Sequence, residues 1–153
     1  MKWLYNSFVN SSVVILILRI ILGIIFFAHG SQKVLGLFGG KGLGATVLAF
    51  STNLNIPPFL IYLAAFTEFL GGLLLILGLL TRIASAGIVI DMAVAIIQIH
   101  LKNGFFNPAG IEFPLALLII AFCVFLYGAG KYSIDSTLAG RFSSGFLSTN
   151  QRL

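Results

Sequence analysis

The segment PFLIYLAAFTEFLGGLLLILGLL, residues 58–80, decides the fold, because it is long and apolar enough to cross a bilayer and still carries Glu68 near its middle. Hydrocarbon accepts a carboxyl group only where protein or trapped water receives it, so an ionisable residue inside such a segment marks a candidate functional site. Two more apolar runs each carry one ionisable residue: Arg19 in VVILILRIILGIIFF and Asp91 in IASAGIVIDMAVAIIQI.

The composition places the chain among membrane proteins. Of its 153 residues, 59% are hydrophobic and 8% are charged, so the chain cannot cover itself with polar surface. Four runs approach the roughly 20 residues that cross a bilayer, residues 12–29, 57–80, 82–101 and 111–127. The sequence therefore predicts an all-α membrane protein, a bundle of four transmembrane helices. Residues 1–135 are expected to form a single domain and residues 136–153 a short cytoplasmic tail.

A short helix is predicted between the first two spans. The stretch GLFGGKGLG has neither the spacing nor the preceding strand of a phosphate-binding loop, which indicates a flexible loop. After it, Leu43, Val47 and Leu48 recur at helical spacing and Pro57-Pro58 follows. This pattern is typical of a helix that lies at the membrane interface and ends before the prolines.

The charge distribution predicts an orientation and excludes one class of partner. The net charge is +5, but the basic residues lie singly at the ends of apolar runs, so we expect no nucleic acid. The positive-inside rule favours cytoplasmic termini, because one side of the predicted topology holds Lys2, Arg82, Lys131, Arg141 and Arg152, and the other holds Lys33, Lys41 and Lys102. The lone Cys123 excludes an intramolecular disulfide and a cysteine-rich metal site.

Helical spacing places Arg19, Glu68 and Asp91 each on a face that also carries glycine or alanine. Because small residues mark the surfaces where membrane helices approach closely, the three are expected to face one interior, with Ile88 and Val89 left toward lipid. Antiparallel neighbours would bring Arg19 and Glu68 to similar depth, which predicts an ion pair of either structural or functional purpose. Two acids and one obligate cation imply a proton shared at neutral pH, or a neutral Asp91 that donates a hydrogen bond.

A second polar group is predicted at the outer ends of the helices, and it consists of His29, Lys33, His100, Asn103 and Glu112. The two histidines have no close spacing of the kind that zinc sites use, so no metal site is predicted. Interfacial hydrogen bonding is one interpretation of this group. The headgroup of a quinone or a lipid, received between the helices, is the other.

The ordered set of polar and glycine motifs resembles the DoxX family. The match runs from about Val14 to Asp135 and rests on Arg19, Gly30-Ser31-Gln32-Lys33, Pro57, Glu68 with Gly71-Gly72, Gly78 with Thr81-Arg82, residues 100–106, and the segment GAGKYSID, residues 128–135. The resemblance implies a four-helix bacterial membrane protein. It also implies a role similar to that of the small quinone-linked subunit of thiosulfate oxidation, or of membrane partners of redox-stress enzymes. Asp91 departs from the family, where an apolar or neutral residue is expected.

Two functional classes follow from the residues and the resemblance. The first is a membrane subunit or quinone-site protein of the bacterial plasma membrane that serves a redox enzyme and is not an enzyme on its own. The second is a small proton-coupled transporter or channel-like protein that uses Glu68 and Asp91. A purely structural membrane protein is a third possibility, and a homo-oligomer is compatible with all three.

Overall fold

The computed structural model describes residues 11–106 and 108–140, and this part of the chain contains helices and no strands. The helices are α1 (Ser11–Val34), α2 (Gly42–Leu54), α3 (Pro58–Leu77), α4 (Thr81–Ala95) and α5 (Glu112–Tyr127). Helix α4 continues into a π turn, Ile96–His100, and a 3₁₀ turn, Leu101–Asn103. Residues 134–140 are also helical, and the rest of the predicted tail, residues 141–153, lies outside the described residues.

Helices α1, α3, α4 and α5 form the bundle. Its centre contains fully buried apolar side chains from each of them, including Leu22, Phe26, Leu75, Ile88 and Val124. Three of the helices, counting α4 with its continuation to Asn103, are long and apolar enough to cross a membrane, and α5 is shorter. The outer surface remains apolar, as lipid contact requires. The predicted all-α membrane bundle is confirmed.

Glycines set the distance and the register between α1 and α3. A Cβ atom on Gly72 would lie 2.3 Å from the backbone nitrogen of Phe27, and one on Gly30 would lie 2.3 Å from that of Phe69. No real Cβ tolerates such a distance, so the two backbones touch directly, as in other membrane helix pairs with small interfacial residues. This contact places Glu68 at the level of the last turns of α1.

Helix α2 confirms the short helix predicted between the first two spans. It ends at Leu54, and Asn55 adopts the left-handed conformation with its N–H donating to Phe50 O, before Pro57 and Pro58 begin α3. None of the residues of α2 is buried, so the helix lies against the edge of the bundle and is not part of its core. We call this end of the bundle the α2 end.

Two details of the predicted helices are wrong. Helix α1 continues to Val34, so His29 and Lys33 lie within its last turns and do not leave it. On α4, Ile88 is fully buried although lipid contact was predicted for it. The buried face of α4 is centred on Ala84, Ile88 and Met92, which places Asp91 beside that face.

Candidate functional site

Three charged side chains from three helices meet at a small cavity near the α2 end. Lys33 of α1, Glu68 of α3 and Asp91 of α4 line this cavity of about 70 Å³. The volume has room for about two water molecules at roughly 30 Å³ each. We call it the polar cavity.

Lys33 and Glu68 form an ion pair in which Lys33 Nζ donates to Glu68 Oε1. The pair follows from the register of α1 and α3, because Gly30 packs against residues 68 and 69 and Lys33 lies one turn further on the same face. The side chain of Glu68 is 5% exposed and that of Lys33 is 25% exposed. Removal from water is costly for both groups, and each is stabilised here by the other.

The carboxylates of Glu68 and Asp91 together would carry two negative charges, of which Lys33 neutralises one. Asp91 faces both Glu68 and Lys33 across the polar cavity. Glu68 Oε2 and Asp91 Oδ2 are buried, and within the described residues no donor group reaches either atom. The two carboxyl groups lie close enough for a hydrogen bond between them when one of them carries a proton. With all three groups ionised the cluster would carry one negative charge in a medium of low dielectric constant, which is strongly unfavourable. The arrangement therefore has the capacity to hold one proton or to receive one hydrogen-bond donor.

An apolar groove on the bundle surface, open between α3 and α4, leads to the carboxyl group of Asp91. Its volume is about 320 Å³, and it is lined by Leu60, Leu63, Ala64, Thr67, Gly87, Ile90, Asp91 and Val94. Asp91 lines both the groove and the polar cavity. A molecule in this lateral groove would therefore have apolar walls along most of its length and a carboxyl group at one point.

The predicted ion pair between Arg19 and Glu68 is wrong. Arg19 is 1% exposed, and its guanidinium donates from Nη1 to Leu75 O (2.8 Å) and from Nη2 to Tyr132 O (2.7 Å). Because Glu68 lies at the level of Gly30, Arg19 is about three turns away, or roughly 16 Å along the axis. Helical periodicity placed Arg19 and Glu68 on the buried faces of α1 and α3, as the structure does. The register that the glycine contacts impose was not contained in that periodicity.

Arg19 instead belongs to a structural cluster at the opposite end of the bundle, together with Asp135. The Asp135 carboxylate accepts hydrogen bonds from the N–H groups of Leu80 (2.8 Å) and Thr81 (2.9 Å) and so caps the start of α4. Burial by itself would raise the pKa of Asp135, but the hydrogen bonds from Thr81 and Leu80 outweigh it and hold the pKa below its ordinary value. Sequence reasoning did not identify this cap, because its two halves lie far apart in the chain.

The other predicted ligand residues do not join Lys33 at the polar cavity. His29 is exposed on α1. His100 Nδ1 and Asn103 Nδ2 both lie within hydrogen-bonding distance of Ala109 O, at 2.9 and 3.2 Å, so they organise the loop before α5. Glu112 begins α5, and its backbone N–H donates to Phe105 O. The structure thus separates the predicted outer group into Lys33, which faces the acids, and side chains that lie elsewhere.

The fold and the site define a small α-helical membrane protein with a buried polar cluster beside a lateral apolar groove. Comparison with known sequences identifies the family of this membrane protein. Residues 14–101 match the DoxX family, and the chain belongs to that family. The matched region contains Lys33, Glu68 and Asp91.

Individual relatives cover most of the chain. It is 35% identical over 120 residues to the protein named "Putative oxidoreductase CatD" of Bacillus subtilis, an alignment that spans 78% of this chain and 83% of the relative. An uncharacterized protein of Haemophilus influenzae is 30% identical over 134 residues, 85% of this chain and 86% of its own. An uncharacterized membrane protein of Mycobacterium tuberculosis is 27% identical over 143 residues, 83% and 82% of the two chains. No solved structure matches the chain significantly.

Proposed function

We propose that this DoxX protein is the membrane-embedded partner of a redox assembly and that its lateral groove binds the ring of a quinone, with a ring oxygen directed into the polar cavity. The observation that carries the proposal is the meeting of the lateral apolar groove and the polar cavity at Asp91. A quinone combines a long apolar chain with a polar ring, and this site offers surfaces for both parts in that order.

The lateral groove suits the apolar part of such a ligand. Its volume of about 320 Å³ falls at the lower end of the range typical of small-molecule sites, about 300–1,000 Å³. It is open along the outer surface of the bundle, so the isoprenoid chain would extend into lipid and only the ring would be enclosed. Gly87 and Ala64 leave room for the ring, and Thr67 adds a hydroxyl group.

The polar cavity suits the oxygen atoms of the headgroup, while the ring itself lies in the lateral groove. The ammonium of Lys33 is a donor for a quinone carbonyl oxygen, and the carboxyl oxygens of Glu68 and Asp91 are acceptors for the hydroxyl groups of a quinol. The surplus negative charge of the cluster favours a bound proton, which would be one of the two protons that a quinone takes up when the redox partner reduces it to the quinol. The residues would therefore bind and orient the ring and hold one proton near it, while the redox partner supplies or removes electrons.

The sequence and the relatives support a setting in the cell. The name of the Bacillus subtilis relative refers to an oxidoreductase, which supports a redox role for the family member described here. We place the protein in a bacterial plasma membrane with both termini in the cytoplasm, because more basic residues lie on the side of the termini. In this orientation the polar cavity lies nearer the outer face, and the partner enzyme is a separate protein.

The test is the quinone content of the purified protein. The wild type and the variants Glu68→Gln and Asp91→Asn are reconstituted with ubiquinone or menaquinone, washed, extracted and quantified. Both variants keep the side-chain shape but remove a carboxylate, and we expect each to lose most of the bound quinone. Glu112→Gln is the matched control, because Glu112 does not line the polar cavity. Equal quinone content in all four proteins would refute the proposal.

The same variants separate a chemical role from a purely structural one. A strain that lacks the gene is complemented with wild type or Glu68→Gln under oxidative or sulfur stress. Loss of complementation by a variant that still folds in the membrane would support a chemical role. Full complementation by folded Glu68→Gln would mean that the Lys33–Glu68 pair only fastens α1 to α3.

Proton-coupled passage is the second candidate function, and the two buried carboxyl groups of Glu68 and Asp91, which face each other, favour it. Two buried acids that share one cation are suited to binding and releasing a proton during transport. Proteoliposomes loaded with a pH-sensitive dye measure this activity directly. A proton flux that is lost in Glu68→Gln, in liposomes that contain no quinone, would favour transport over the redox role.

A further inference from the structure

A second opening lies beside the polar cavity at the α2 end. It is a depression of about 330 Å³ between the end of α1, the glycine-rich loop and α2. We call it the vestibule, and its lining includes Gln32, Lys33, Gly40, Lys41, Thr46 and Phe50.

The vestibule and the polar cavity share two residues, Lys33 and Phe50. The ammonium of Lys33 is directed toward Glu68, while a quarter of its side chain remains exposed. Phe50 reaches the same boundary from α2 and is half-buried. These two side chains therefore form the wall between an open depression and a buried polar volume.

The vestibule differs in chemistry from the lateral groove. It is lined by an amide, a hydroxyl group and two ammonium groups, whereas the groove has apolar walls apart from Asp91 and Thr67. Polar side chains next to a membrane helix end are hydrated, so the vestibule is on the water side and the groove is on the lipid side. The polar cavity thus lies between two openings of opposite character.

Of the two side chains in this wall, Phe50 belongs to α2, which lies at the edge of the bundle. No residue of α2 is buried, and elements with few buried apolar contacts open at low free energy. A small outward movement of α2 would carry Phe50 away and leave Lys33 in contact with water on one side and with Glu68 on the other.

We propose that the polar cavity exchanges protons with water at the α2 end through the vestibule, and that Lys33 and Phe50 close this route. The inference rests on the proposed role of the cavity and specifies the side on which its proton is taken up or released. In the step, a proton passes between a carboxyl oxygen of Glu68 or Asp91 and a water molecule, so only O–H bonds form and break. Lys33 takes no part in this transfer, and Lys41 is the other basic residue of the vestibule.

The route is tested by the reaction of a cysteine in the cavity wall with a charged, membrane-impermeant methanethiosulfonate. The full-length chain in a Cys123→Ser background receives Ile61→Cys, because Ile61 lines the polar cavity and is 3% exposed. We expect slow labelling from the α2 side only. Phe50→Ala should accelerate it by about tenfold, because the labelling rate of a buried thiol follows the population of the open state.

The matched control is Leu63→Cys, which faces the lateral groove and should react with a lipid-soluble maleimide but not with the charged reagent. Phe50→Trp should slow the labelling of Ile61→Cys and keeps the test valid if Phe50→Ala unfolds. Labelling that is unchanged by both substitutions, or that occurs from the opposite side, would overturn the inference. The labelling measurement needs no quinone, so it can succeed or fail independently of the quinone assay. If labelling depends on Phe50 but the protein binds no quinone, the water route stands and the proposed ligand is refuted.

Discussion

Lys33→Met tests the central claim that Glu68 depends on Lys33 for its charge compensation. The substitution keeps the unbranched side chain and leaves the Glu68 carboxylate buried beside Asp91. Loss of one partner from a buried pair costs about 3–5 kcal/mol. Because 25% of the Lys33 side chain is exposed, we expect the lower end of that range, about 3 kcal/mol.

The assay is thermal unfolding in detergent, followed by helical circular dichroism. At about 2–4 °C per kcal/mol for a chain of this size, Lys33→Met should lower Tm by roughly 6–12 °C. Glu68→Gln should cost less, because Asp91 still faces the ammonium group. The double variant Lys33→Met/Glu68→Gln should recover most of the lost stability, since no uncompensated charge remains on that pair.

Lys41→Met is the control, because Lys41 is exposed and does not line the polar cavity. It should leave Tm unchanged. The reasoning would be refuted if Lys33→Met behaved like this control. It would also be refuted if the double variant were destabilised by the sum of the two single effects, since independent sites add and coupled sites do not.

The remaining predictions concern the helix contacts and the opposite end of the bundle. The effects of Arg19→Met and Glu68→Gln on the free energy of unfolding should add within about 0.5 kcal/mol, because Arg19 donates to Leu75 and Tyr132 whereas Glu68 pairs with Lys33. A larger coupling energy in a double-mutant cycle would contradict the structure. The pKa of Asp135 is lowered in the folded protein, so Asp135 contributes stability above about pH 4, and this contribution is lost as the pH falls through the folded-state pKa. In a plot of Tm against pH, Asp135→Asn should therefore show a smaller fall of Tm at acid pH than the wild type. Gly72→Ala should prevent α1 and α3 from packing, so that size-exclusion chromatography of the purified variant shows no monodisperse peak. Gly44→Ala, at a position with open space, should elute like the wild type.

Much of the architecture could be predicted from the sequence, because the bilayer imposes a length and an apolar surface on every spanning helix. The spans, the short helix α2 and the meeting of Glu68 with Asp91 were all accessible in this way. The partners of the basic side chains of Arg19 and Lys33 could not be predicted in this way. Periodicity gives the face on which Arg19 lies, but the depth of one helix against another depends on the contacts of Gly30 and Gly72, which only the three-dimensional structure contains.

The same limit explains why Lys33 was grouped with the histidines. In the sequence it follows the apolar run, so it was predicted to lie outside the helix and to face the outer surface. In the structure α1 extends to Val34, and the lysine returns along its own face to reach Glu68. The cap at Asp135 was missed for a different reason, because its contacts join the segment after α5 to the start of α4, and these lie far apart in the sequence.

The π turn at the end of α4 has a consequence for how this chain tolerates insertions and deletions. A π turn closes its hydrogen bonds over five residues and not four, so it accommodates one residue more than an α-helix of the same length. Loss of one residue between Ile96 and His100 would convert the turn to α-helix and leave the residues on both sides in their present directions. Loss of one residue between Gly87 and Asp91 would rotate one part of α4 against the other by about 100°, at 3.6 residues per turn, and Asp91 would no longer face both the lateral groove and the polar cavity. Length variation in this helix is therefore expected to collect in the π turn, where it leaves the carboxyl group in place.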